Sequence, residues 1–145
     1  MADDDDEYQQ AFVQADDSAL MAAVQQRDAG VTPLLKPMGG NMVQALQLSL
    51  ADPPYHTRTD SVKNASFDVV NKVLSTVKDA EIAKVVGALS LEECDVLMKY
   101  IYRGLGPGGK KNETYSKLLH WHPVVLKRAG PGSIMRTISE VNLAL

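Results

Sequence analysis

Residues 90–105 read Ser-Leu-Glu-Glu-Cys-Asp-Val-Leu-Met-Lys-Tyr-Ile-Tyr-Arg-Gly-Leu, and they leave little choice of local structure. Ser90 is a good N-cap, and Glu93 three residues on completes a capping box. Asp95 near the start and Arg103 near the end both suit the helix dipole. Gly104 offers a C-terminal stop. Leu91, Cys94, Val96, Leu97, Met98, Tyr100, Ile101 and Tyr102 are apolar, more than a one-sided stripe needs. A helix apolar around most of its girth is buried by neighbours on several sides. The spacing therefore predicts a central strut with other helices packed around it, and the strut carries no reactive group.

The rest of the chain supplies those neighbours. A short helix is expected over 18–27, capped by Ser18 or Asp17, with Leu20, Met21 and Val24 on its apolar edge. Residues 30–40 hold Pro33, Pro37 and two adjacent glycines, and read as a linker outside the core. Asn41 caps a helix over 42–51 with Val43, Leu46 and Leu50 inward, and Pro53-Pro54 end it. Thr59 or Asp60 starts a longer helix to about Val77, with Val62, Ala65, Val69, Val70, Val73 and Leu74 at three-four spacing. Asp79 is expected to cap the next, with Ile82, Val85, Val86 and Leu89 inward. After the strut, residues 105–111 form a glycine-rich loop. Asn112 then caps a helix carrying Tyr115, Leu118, Leu119, His122, Val125 and Leu126. Pro123 is expected to kink or split that helix. Ser133 caps a last helix with Ile134, Met135, Ile138 and Val141. No segment alternates like a strand, so the fold class is all-α, with six to eight helices whose neighbours pack antiparallel. The chain divides into an acidic arm over 1–17, a short helix and Pro/Gly linker over 18–40, and a helical core domain over 41–145.

Charge and composition exclude several functions. Of a net charge of -3, Asp3, Asp4, Asp5, Asp6 and Glu7 contribute five negatives, so the body is slightly basic. It lacks the basic stripe that nucleic acid requires. The single cysteine, Cys94, rules out an intrachain disulfide and suggests a reducing compartment. The start lacks a secretory signal's layout, and no apolar run reaches membrane-spanning length, so no membrane insertion is expected. The acidic run should be disordered in isolation. Tyr8, Phe12 and Val13 interrupt it, and the segment is either a solubilising tail or an arm that orders on a partner.

Candidate chemistry fails on mechanism. The loop Gly104-Leu105-Gly106-Pro107-Gly108-Gly109-Lys110-Lys111 resembles the start of a phosphate-binding loop. It follows a helix instead of a strand, has Lys111 where magnesium needs Ser or Thr, and loses an N–H at Pro107. His120 and His122 flank Trp121 and point apart on a helix, so no metal site is expected; one packs partly buried and the other faces solvent. Trp121 is a core anchor or an interface hot spot. Cys94 lies on an apolar face among Glu92, Glu93 and Asp95, which oppose a thiolate, and reads as a small buried residue. Asn64-Ala65-Ser66 and Asn112-Glu113-Thr114 are glycosylation acceptors on paper only. No catalytic residues and no cofactor are expected. A helical body with an acidic-aromatic arm suits an assembly subunit, and the alternative is a free-standing helical peptide-binding adaptor.

The segment Val96-Leu97-Met98-Lys99-Tyr100-Ile101-Tyr102-Arg103-Gly104 strongly resembles the signature of the p16 subunit, subunit 5, of the actin-related protein 2/3 complex. Collinear blocks agree: Gly40-Asn41-Met42 with Ala45-Leu46 and Pro53-Pro54; Val69 to Leu74; Leu118-Leu119-His120-Trp121-His122; Gly130, Gly132-Ser133-Ile134 and Arg136; and Asp6-Glu7-Tyr8 with Phe12-Val13. The resemblance implies a compact superhelical bundle of about seven short helices with a flexible acidic N-terminal arm. It marks Leu97, Met98, Tyr100, Ile101, Tyr102 and Trp121 as the core signature. It implies a non-catalytic structural subunit in a complex that nucleates branched actin filaments. The body would dock on subunit 4 and the WD-repeat subunit 1, and the arm, through Tyr8, Phe12 and Val13, would tether actin-related protein 2. Actin filaments would be met through the complex. The implied location is the cytoplasm and cytoskeleton, in branched actin networks and cell projections. The chain departs from the family at Pro123 and at its end, 139–145, which lacks the family's frequent basic residues.

Overall fold

The computed structural model describes the backbone of residues 2–55, 57, 59–106 and 113–139, and side chains from Asp17 onward in those ranges. Seven α-helices and two 3-10 turns make up the described secondary structure: α1 (Ala2–Val31), a turn at Thr32–Leu35, α2 (Met42–Leu50), α3 (Asp60–Thr76), a turn at Asp79–Glu81, α4 (Ile82–Gly87), α5 (Leu91–Leu105), α6 (Glu113–Ala129) and α7 (Gly132–Ser139). There is no strand among the described residues.

α5 is the strut, and it packs against α6, α7, α2 and α3. Its start is built as the sequence predicts: the Ser90 side chain accepts from the Glu93 N–H at 3.1 Å, and the Glu93 carboxylate accepts from the Ser90 N–H at 2.9 Å. Glu93 also receives the Gln47 amide at 3.5 Å, which links α5 to α2. Its end differs by a residue or two, since the helix runs through Gly104 to Leu105 and Gly106 is the C-cap. Gly104 is needed for proximity. A Cβ there would stand 2.3 Å from Leu118 Cδ1 and 2.8 Å from Phe67 Cζ, so only a glycine lets α3, α5 and α6 meet at this point.

On one side α1, α2 and α3 pack together, and on the other α6 and α7 pack on α5, with α4 against α6. One continuous core joins them, from Val24 and Val31 in α1 to Val125 in α6. Among its largest members Trp121, Tyr100, Leu46, Leu74, Met98 and Ile101 are fully enclosed.

Four expectations are corrected. The first helix does not stop at residue 27 or start at 18: its backbone is helical from Ala2 to Val31. Residues 2–29 contain neither Gly nor Pro, and the carboxylates of Asp3, Asp4, Asp5, Asp6 and Glu7 lie at the end the helix dipole favours. The stretch 30–40 is not outside the core, because Val31 is completely buried. The Asn41 N–H then closes the loop onto the Leu34 carbonyl at 2.9 Å. A Cβ on Gly40 would fall 2.2 Å from the Lys36 carbonyl oxygen, so the closure depends on that glycine. Asp79 caps nothing; it begins a 3-10 turn and reaches across to α6. Pro123 does not split its helix. α6 runs unbroken through it. The ring is exposed, and Leu119, whose carbonyl loses its i+4 donor, is itself 48% exposed, so water can meet that oxygen.

Ser133 also departs from its expected role. It lies inside α7, buried, with its hydroxyl donating to the Gly130 carbonyl at 2.8 Å. Asn41 does cap α2, accepting from the Gln44 N–H at 3.0 Å. The expected cap at Asn112 and the loop at 107–111 lie outside the described residues.

Candidate partner-binding surfaces

The residues singled out from the sequence fall into two groups. Leu97, Met98, Tyr100 and Ile101 on α5 and Trp121 on α6 are all buried. Trp121 is thus a core anchor. Its Nε1–H donates to the Leu74 carbonyl at 3.2 Å, so the one polar atom of a fully enclosed indole is satisfied. The Tyr100 hydroxyl pairs with the Ser66 hydroxyl at 2.6 Å, and burial pushes its pKa above the usual phenol value. Tyr102 is half-buried, 3.0 Å from His122 Nε2, with the two rings edge to face. Tyr8, Phe12 and Val13 lie on the α1 backbone, and their side chains are outside the described residues.

Among the described residues the considered chemistry does not assemble, and most of the phosphate-loop candidate, from Pro107 to Lys111, lies outside them. The histidines divide as expected: His122 is held by Tyr102, while exposed His120 stands 3.2 Å from Asp79. Lys117 donates to the same Asp79 at 2.7 Å and, with His120, holds its carboxyl below the usual range. Cys94 is buried, and desolvation pushes its thiol up, away from the nucleophilic form. In the first glycosylation acceptor Ser66 is buried, while Asn64 is exposed and accepts from the Arg103 guanidinium at 2.5 Å. Among the described residues no three His, Cys, Asp or Glu side chains are grouped to hold a metal, and no described helix is long and apolar enough to cross a membrane.

What remains is surface. On α7, Ile134 packs inward while Met135 and Ile138, one turn apart, are 66% and 63% exposed. Arg136 fixes α7 to α5 with two parallel hydrogen bonds of 2.8 Å to the Asp95 carboxylate. Leu91 is exposed one turn before Asp95. Met38 stands out at 89% on the turn before α2. Sequence reasoning missed Lys99, which is only 7% exposed inside α5, with its ammonium 4.8 Å from the centre of the Tyr55 ring. The signal was available: a lysine in a helix apolar on nearly every side has no free face to occupy.

The family model of the ARP2/3 complex 16 kDa subunit (p16-Arc) matches residues 2–143. The chain belongs to the p16-Arc family. It is 35% identical over 137 residues to the actin-related protein 2/3 complex subunit 5 of Dictyostelium discoideum, covering 94% of this chain and 95% of that one. It is 42% identical over 101 residues to subunit 5-C of Xenopus laevis, covering 70% and 66%. With subunit 5A of Arabidopsis thaliana it shares 35% over 130 residues, 89% and 94% of the two chains. As a p16-Arc protein it is a non-catalytic structural subunit of the complex that nucleates branched actin.

Proposed function

We propose that the helical body is the docking block of this subunit and that the acidic N-terminal segment is its tether. The body docks on subunit 4 and the WD-repeat subunit 1, and the segment carrying Tyr8, Phe12 and Val13 holds actin-related protein 2. The work is done within branched actin networks of the cytoplasm and at cell projections. One observation carries the reading: the acidic segment is the outer half of a helix whose inner half is rooted in the core. Val24 and Val31 of α1 are buried, Asp28 pairs with Lys72 of α3 at 2.5 Å, and Arg27 donates to the Asp52 carbonyl at 3.2 Å. The backbone then continues as helix from Asp17 back to Ala2. At ~1.5 Å per residue this carries the acidic end about 22 Å along the helix axis, enough to bridge from one subunit to the next.

A tether of this kind raises the effective concentration of its target without adding contacts to the body. Removing residues 1–16 leaves the body folded and incorporated, and slows filament nucleation by the assembled complex. Helicity by circular dichroism, incorporation by pull-down stoichiometry and nucleation by actin polymerisation read the three parts separately. A truncated chain that no longer joins the complex overturns the division of labour.

A further inference from the structure

The junction between the acidic segment and the rooted half of α1 is held by one carboxylate. Asp17 Oδ1 accepts from the Thr57 hydroxyl at 2.6 Å, and Oδ2 accepts from the Thr59 hydroxyl. Thr57 is buried in the connection between α2 and α3, and its oxygen also accepts from the Thr59 N–H at 3.1 Å. These two bonds hold the Asp17 carboxyl below its ordinary value, so it is a full acceptor at neutral pH. Thr59 is the N-cap residue of α3, with the extended backbone that position requires, φ -80° and ψ 115°. Its hydroxyl nevertheless makes no cap bond to α3, because it is turned to Asp17. A hydroxyl can donate and accept at once, so the choice is one of rotamer: turned to Asp17 the Thr59 oxygen makes no cap bond, and turned back over α3 it can accept from that helix's first N–H groups.

We infer that Asp17 latches the tether-bearing helix to the head of α3, and that Thr59 is the release element, trading its bond to Asp17 for the cap of α3 when the latch opens. At Thr59 opening exchanges one hydrogen bond for another, so the Thr57 bond is the one lost outright. The inner half of α1 stays seated through Val24, Val31 and the Asp28–Lys72 pair, so opening is local to the junction. The latch thus sets the direction in which the tether leaves the body while letting it swing under load. This deepens the tether reading and depends on it for its consequence, though not for its geometry.

The test uses the full chain in the assembled complex, with amide hydrogen exchange read by mass spectrometry. Asp17→Ala speeds exchange over residues 12–24 by about tenfold and slows exchange in the first turn of α3, because the freed Thr59 hydroxyl now caps it. Thr59→Val speeds exchange over residues 12–24 and leaves the first turn of α3 as in the natural chain, where no cap bond is made. Thr59→Ser, which keeps the hydroxyl, keeps the natural pattern in both places. If Asp17→Ala leaves residues 12–24 unchanged, or leaves the first turn of α3 no better protected than Thr59→Val does, the latch is wrong. If the exchange pattern holds but removal of residues 1–16 leaves nucleation unaltered, the latch stands and the tether reading fails.

Discussion

Gly104 shows how much one absent methyl group decides. Its neighbours Leu118 and Phe67 come from two other helices, and an added Cβ collides with both. Gly104→Ala improves intrinsic helix propensity by about 1 kcal/mol, yet forces three packed helices apart at a cost of about 1–3 kcal/mol. The packing term wins, and urea unfolding will report a net loss of stability. A gain would mean that Leu118 and Phe67 can both move aside. Trp121 teaches a similar lesson. Trp121→Phe leaves the Leu74 carbonyl without its donor and opens a space where the second ring was, and the loss is about 2–4 kcal/mol in the same measurement. Neither role follows from the local sequence alone. Gly104 looked like a helix stop because it follows Arg103, and Trp121 was balanced between core and interface because burial depends on what packs above it.

At the scale of elements, local chemistry predicted helix starts well where the cap is self-contained. Ser90 with Glu93 and Asn41 with Gln44 close within four residues, so no distant group can alter them. Asp79, Ser133 and Thr59 are equally good caps by type, but each side chain is drawn elsewhere, to Lys117, to the Gly130 carbonyl and to Asp17. At Asp79 and Thr59 a tertiary contact outbids a cap that has no reciprocal partner; at Ser133 a local bond three residues back does so. Pro123 does not split α6 for a related reason: a proline ends a helix only when the lost bond cannot be met otherwise, and here the affected carbonyl belongs to an exposed residue. Pro123→Ala should then restore the missing bond and raise stability by between about 1 and 3 kcal/mol. A melting temperature that stays put or falls would show that α6 is already opened at this turn.

For the whole molecule the buried ionisable groups set the range over which it holds together. Cys94 and Tyr100 both sit in the core with pKa values raised above their ordinary 9.0 and 10.0, chiefly by desolvation. The folded chain keeps these protons after the unfolded chain has released them. Their contribution is complete below about pH 9 and declines as pH climbs past the two ordinary values. Urea midpoints measured between pH 8 and 11 will fall, and the fall will be shallower in Cys94→Ala and Tyr100→Phe than in the natural chain. Equal slopes would remove the core from the explanation.

The hydrophobic spacing alone determined that this chain is helical, that residues 90–105 form its strut, and most of the residues that face inward, though not Leu91, Leu119, Met135 and Ile138, which the structure leaves exposed. The collinear blocks of resemblance determined the family. Only the packed structure decided that residue 31 belongs to the core, that a lysine lies within the strut, that the acidic segment continues the first helix, and that Asp17 meets Thr57 and Thr59. Apart from the helix continuing through the acidic segment, each of these rests on groups distant in sequence brought within hydrogen-bond or van der Waals range, and no local pattern encodes that distance.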